Sequence, residues 1–241
     1  MVLVIDSGNT YTKIGQFVEG KLINVHQKES LKDIALTVQQ YRPGKIVLGS
    51  VNFPLDQFKK KISSIEIHPI LSTTEVPFKV KYKTPETLGI DRLAGIAWAW
   101  EQSPGKNILV IDAGTCITYD FINEEGEYLG GGISPGIELR LKSLHAFTTN
   151  LPEVRFKEDF RLIGDTTQNS ILSGVMNGLI EEINGIISEY KKKYKDLTIF
   201  MSGGSVIFFE SKIKHSIFAF PNIVLLGLYS LYEFNIRKGK N

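Results

Sequence analysis

The sequence predicts two similar α/β domains facing a cleft, and three observations carry that reading. Leu3-Val4-Ile5-Asp6-Ser7-Gly8 returns as Leu109-Val110-Ile111-Asp112-Ala113-Gly114 at a constant offset of 106; Thr12/Thr118, Glu19/Glu125 and Gly20/Gly126 extend the repeat to eight ungapped identities. After each copy, apolar segments of helical and strand period alternate. A turn-rich stretch, Gln102-Ser103-Pro104-Gly105, separates the copies and sets the halves at 1–103 and 104–241.

Each copy reads as a buried strand, a turn through Asp-x-Gly, a second strand (11–18 and 117–122) and a turn at Glu-Gly, which together form a β-hairpin. In the first half there follow an amphipathic segment over 31–41, an apolar run over 46–48, a Lys-rich segment over 56–62 and an apolar stretch over 65–70. Gly89 breaks the chain before a helical segment over 93–100, which puts Asp91 and Arg92 at a helix N-terminus. In the second half, Gly130-Gly131-Gly132 is too glycine-dense for a strand core; close backbone approach to a ligand or another chain is one explanation, and a mobile loop is the other. Pro135 suits a first helical turn, with Ile137, Leu141 and Leu144 on one stripe. Ile171, Val175, Leu179 and Ile183 mark a long helix, 198–201 a strand and 222–234 a closing helix. Ser202-Gly203-Gly204 offers room for a flat base or ribose, or else makes a plain strand-to-helix turn.

The 241 residues are 42% hydrophobic, enough for a sizeable core, and disorder is excluded. A net charge of +2 supplies no overall field toward nucleic acid or an acidic membrane. The apolar stretch over 223–232 is about half of the ~20 residues a bilayer span needs, and Val2-Leu3-Val4-Ile5 ends at Asp6 without the features of a signal peptide. Cys116 is the single cysteine, and His26, His68, His145 and His215 are too scattered for a zinc site. A cytoplasmic, disulfide-free protein without nucleic-acid or membrane partners is expected.

In Asp6-Ser7-Gly8-Asn9-Thr10 a carboxylate ends a buried strand directly before a glycine that lets backbone N–H groups approach an anion. Thr10 adds a hydroxyl and Lys13 a cation. A carboxylate beside anion-binding amides makes sense where a divalent cation bridges carboxylate and phosphate, as in a MgATP site. The competing reading is a hairpin whose Gly-Asn pair merely supplies positive φ. A second copy at Asp112, Gly114 and Thr115 favours a polyphosphate gripped from two sides. None of the Gly-Lys pairs is followed by Ser or Thr, so there is no Walker A loop, and G-x-G-x-x-G does not occur. In Tyr82 to Arg92, the Asp91 carboxylate is favoured by the helix dipole and the Arg92 guanidinium can reach an anionic substrate; a helix cap with a surface salt bridge is the plainer alternative.

These blocks, in this order, resemble type III pantothenate kinase, a member of the actin-like ATPase superfamily. The likeness rests on Asp6 to Thr10 with Lys13; Tyr82 to Arg92; Asp112 to Thr115; Gly131-Gly132-Ile133-Ser134-Pro135-Gly136 leading to Thr148 and Leu151-Pro152; and Gly164-Asp165-Thr166-Thr167 before Ser173-Gly174. The resemblance implies two actin-like (ribonuclease H-like) domains facing a nucleotide cleft and transfer of the ATP γ-phosphoryl group to the primary hydroxyl of pantothenate, opening coenzyme A synthesis. It implies that Asp6, Ser7, Gly8, Asn9, Thr10, Tyr11, Thr12, Lys13 and Thr115 contact ATP, and that Asp112 helps hold a potassium or ammonium ion. Tyr82, Gly89, Ile90, Asp91, Arg92 and Thr167 would face pantothenate, with Asp91 as proton acceptor. Mg2+ and a homodimer belong to the same expectation. The alternatives are a non-catalytic regulator on the same fold and a superfamily kinase or phosphatase acting on a sugar or polyphosphate.

Overall fold

The computed structural model describes residues 1–8, 11–28, 30–50, 55–62 and 65–239. One compact unit comprises Met1–Pro104, Gly126–Leu129 and Asn222–Asn241; the other comprises Gly105–Glu125 and Gly130–Pro221. The elements before the second repeat copy are β1 (Val2–Ser7), β2 (Thr12–Val18), β3 (Lys21–Lys28), α1 (Leu31–Tyr41), β4 (Lys45–Ser50), α2 (Leu55–Lys61), β5 (Glu66–Pro69), β6 (Lys79–Val80) and α3 (Ile90–Gln102). Then come β7 (Ile108–Ala113), β8 (Cys116–Ile122), β9 (Glu127–Pro135), α4 (Ile137–Ala146), α5 (Thr167–Lys193), β10 (Thr198–Ser202), α6 (Val206–Glu210), β11 (Phe218–Ala219) and α7 (Ile223–Lys238).

The repeat read from the sequence extends to whole sheets. The first runs β3-β2-β1-β4-β5, and the second runs β11-β10-β7-β8-β9-β6. Taken from the other edge, β9-β8-β7-β10-β11 repeats the first order strand for strand, with β6 added. Directions repeat as well: β1/β2 and β7/β8 are antiparallel, whereas β1/β4, β4/β5, β7/β10 and β10/β11 are parallel. Leu3, Ile5, Ile14, Ile34, Ile46 and Phe58 belong to the core of the first sheet. Leu109, Ile111, Ile117, Met176, Leu179, Ile183 and Met201 belong to that of the second.

Three expectations need correction. Gly130-Gly131-Gly132 lies inside β9 instead of interrupting a strand: a Cβ on Gly131 would stand 1.6 Å from the Tyr119 carbonyl oxygen, so the glycine lets β9 approach its neighbour's backbone. Pro135 ends that strand, and Gly136, not Pro135, leads into α4, although Ile137, Leu141 and Leu144 do turn toward the core. The hairpin of the first half continues into an edge strand, β3, which the sequence reading lacked.

Candidate active site

The first Asp-x-Gly turn leaves β1 with Asp6 opposite Lys13 and Ser7 opposite Thr12 on β2. Directly opposed residues of an antiparallel pair share a face, and the fully buried Ser7 accepts a 3.2 Å hydrogen bond from the Thr12 hydroxyl. Asp6, Gly8 and Lys13 are half-buried and Tyr11 is exposed; Asn9 and Thr10 lie outside the described residues. The second turn is shorter, so the ladder slips by one residue: Asp112 stands opposite Thr118 and Ala113 opposite Ile117. The first carboxylate therefore has a cation across the ladder and the second a hydroxyl.

The competing reading for these turns made glycine a device for positive φ. Gly20 and Gly126, at the second turn of each copy, are left-handed at φ 81° and 72°, but neither Gly8 nor Gly114 is. A Cβ would meet only Tyr11 O at 3.4 Å from Gly8 and Cys116 O at 3.7 Å from Gly114, which is ordinary contact. Neither the backbone nor the packing demands glycine there. The Gly114 N–H donates to Cys116 O at 3.0 Å within the turn.

Two segments close on the second turn. Gly136 donates its N–H to Thr115 O at 3.0 Å, and a Cβ on it would lie 2.3 Å from Gly114 O. Gly203, at φ 98°, presses on Ala113, whose carbonyl oxygen would be 2.3 Å from an added Cβ and accepts the Ser205 N–H at 3.1 Å. Ser202, buried, runs beside Asp112 in parallel register. The glycines of both segments thus serve this turn, a tertiary role that local sequence does not announce.

The Tyr82 to Arg92 segment forms a second cluster. Gly89 caps α3, Ile90 is buried at its first position, and Asp91 and Arg92 follow in the first turn. Asp91 Oδ1 accepts the Arg92 backbone N–H at 2.9 Å. The carboxylate occupies the space a Gly89 side chain would take, since a Cβ there would sit 2.3 Å from Oδ1. Its charge is favoured by the N-terminal dipole. Arg92 is 7% exposed, and its guanidinium carbon lies 5.6 Å from the centroid of the Tyr82 ring; Tyr82 in turn leans on the fully buried Tyr128 at 6.2 Å. Tyr82, Gly89, Ile90, Asp91 and Arg92 all belong to the first unit, whereas Asp112, Thr115 and Thr167 belong to the second.

Thr167 is exposed at the first position of α5, after the cap Thr166, whose side chain accepts the Asn169 N–H at 3.2 Å. Asp165 takes a 2.6 Å hydrogen bond from the Asn169 amide, which holds its carboxyl below the usual carboxylate range. No group of three His, Cys, Asp or Glu side chains among the described residues forms a metal-ligand set. A magnesium ion held by one carboxylate together with phosphate oxygens needs no such set, so Asp6 fits that manner of binding.

A family model described as type III pantothenate kinase matches residues 2–189. The type III pantothenate kinase of Christiangramia forsetii is 45% identical, with 98% of this chain and 99% of that protein covered, and that of Cytophaga hutchinsonii is 39% identical, with 98% and 100% covered. Among solved structures, a protein described as a Baf family transcriptional activator from Campylobacter jejuni matches with a TM-score of 0.67 at 21% identity, covering 98% of this chain and 99% of that one. Inorganic polyphosphate/ATP-glucomannokinase from Arthrobacter sp. strain KM matches at 0.50 and 12%, covering 98% of each chain. At such identities these likenesses concern the fold alone, which is the two-domain actin-like one. Matched along almost its whole length by relatives that bear one name, the chain belongs to the type III pantothenate kinase family.

Proposed function

We propose that this chain transfers the γ-phosphoryl group of ATP to the primary hydroxyl of pantothenate, giving 4'-phosphopantothenate and ADP at the start of coenzyme A synthesis. The family supports the reaction. The observation that carries its assignment to residues is the Asp91 carboxylate seated against Gly89, one residue from an Arg92 whose guanidinium lies within cation–π reach of Tyr82. Phosphoryl transfer asks a protein mainly to position reactants and neutralise charge. Asp91, oriented through Oδ1, takes the hydroxyl proton as the oxygen bonds to phosphorus and ADP leaves. Arg92 pairs with the pantothenate carboxylate, Tyr82 and Gly89-Ile90 shape the same pocket, and Thr167 adds a hydroxyl. Residues 6–13 and Thr115 hold the nucleotide phosphates.

Mg2+, when bound, neutralises charge on those phosphates. Asp112 is the residue for a potassium or ammonium ion. The enzyme works as a homodimer, and it acts in the cytoplasm without nucleic-acid or membrane partners. No helix among the described residues is long and apolar enough to cross a membrane.

An assay with pantothenate, MgATP and potassium tests the reaction, and Asp91→Asn tests the base. Asn keeps an oxygen for the Arg92 N–H, so the fold and ATP binding should persist while turnover falls about 10²- to 10⁴-fold. Unchanged turnover would overturn the assignment. Phosphorylation of a sugar in preference to pantothenate would favour another superfamily kinase instead.

A further inference from the structure

One guanidinium in the second unit makes bonds that the reaction, as derived above, does not use. Arg140 on α4 donates from Nε to Pro135 O at 2.8 Å and from Nη2 to Ser134 Oγ at 2.7 Å, and the same Nη2 meets Glu182 Oε2 on α5 at 2.5 Å. Both side chains are about three-quarters buried, at 22% and 27% exposure. Glu182 is held from its other oxygen by the Tyr119 hydroxyl of β8 at 3.2 Å. Burial, and after it the Glu182 charge, pushes the Tyr119 hydroxyl well above its ordinary range, so it remains a donor at any working pH.

The segment that Arg140 grips is the one that closes on the second Asp-x-Gly turn. Gly136, directly after Pro135, donates to Thr115 O and leaves no room for a Cβ beside Gly114 O. A bonded path therefore runs from Glu182 through Arg140 and Ser134-Pro135-Gly136 to Thr115. We infer that Arg140, braced by Glu182, is a positioning residue that fixes the Asp112–Thr115 turn for the nucleotide through the Ser134–Gly136 segment. The inference rests on the proposed role of that turn in holding ATP. A planar fork suits it, because one lysine ammonium cannot keep the Pro135, Ser134 and Glu182 directions together.

The rival is a staple that merely joins α4 to α5. Such a staple would be restored by lysine, and its loss would move both substrates' constants together with the melting temperature. The test measures ATP affinity by titration calorimetry and the KM of each substrate, on the full chain, for Arg140→Met, Arg140→Lys, Ser134→Ala and Asp112→Asn. Arg140→Met should weaken ATP about tenfold, equivalent to about 1.4 kcal/mol, with the pantothenate KM within about twofold of the parent and only partial recovery in Arg140→Lys. Ser134→Ala, which leaves the ion pair in place, should move ATP in the same direction by less, without change in melting temperature. An ATP affinity unmoved in Arg140→Met, or equal shifts for both substrates, overturns the inference. Where Arg140→Met does not fold, parent-like ATP affinity in both Arg140→Lys and Ser134→Ala overturns it. If Asp112→Asn weakens ATP but Arg140→Met does not, the positioning role alone fails. If Asp112→Asn leaves ATP affinity intact, the reading of the turn as a phosphate site fails, and the inference with it.

Discussion

Gly89 sets the geometry of the residue that follows it by two. Adding one methyl group puts a carbon 2.3 Å from Asp91 Oδ1, and the cheapest relief is rotation of that carboxylate, the movable end of a side chain. Gly89→Ala should therefore lower kcat by at least about tenfold while the melting temperature falls little; the two are read together by steady-state kinetics and thermal unfolding, and parent-like kcat would detach Asp91 from catalysis. Arg92 offers a companion test. Its delocalised guanidinium spreads over Tyr82 in a way a lysine ammonium does not. Arg92→Lys should raise the KM for pantothenate by roughly ten- to a hundredfold, about one or two steps of 1.4 kcal/mol, with ATP affinity unchanged. Asp91 and Arg92 were legible in the sequence because Gly89 marked the helix start. The approach of Arg92 to Tyr82 was not, because a ring contact between residues ten apart across a turn depends on how α3 lies on its neighbours.

At the scale of elements, glycine again decides a packing. Gly227 lies where α7 crosses α3, and a Cβ on it would stand 1.8 Å from the Ala94 carbonyl oxygen. Helix propensity alone favours alanine over glycine by about 1 kcal/mol, so intrinsic preference and tertiary fit predict opposite signs. The steric term should win: Gly227→Ala is expected to destabilise the protein by about 3 kcal/mol, seen as a lower denaturant midpoint. The helices were readable from their apolar periods, as Ile171, Leu179 and Ile183 show by lying buried on α5. Strands at the margins were less so. β3, at a sheet edge, exposes or half-exposes every residue and has no clean alternation, while β9 is rich in glycine for the sake of Tyr119 on the adjacent strand. Gly136 and Gly203 stood out in the sequence, but their contacts with the Asp112–Thr115 turn did not, because each answers to backbone far away in sequence.

For the whole molecule, the duplication visible as eight identities governs two five-strand orders, so the repeat conveyed the architecture better than any single element did. It did not convey where the closing helix belongs. α7 follows the second copy in sequence yet buries Ile223, Leu225, Leu228, Leu231 and Tyr232 within the first unit. At about 1.5 to 3 kcal/mol per side chain, that burial comes to roughly 8 to 15 kcal/mol, as large as the whole stability of a typical domain. A chain ending at residue 221 should consequently lose the cooperative unfolding of its first sheet, measured by hydrogen exchange in β1 and β4; retained protection there would show that α7 is dispensable. Domains are commonly finished in the order in which they leave the ribosome. Here α7, which completes the first core, is translated only after residues 105–221, so the amino-terminal sheet is made long before the helix that covers it.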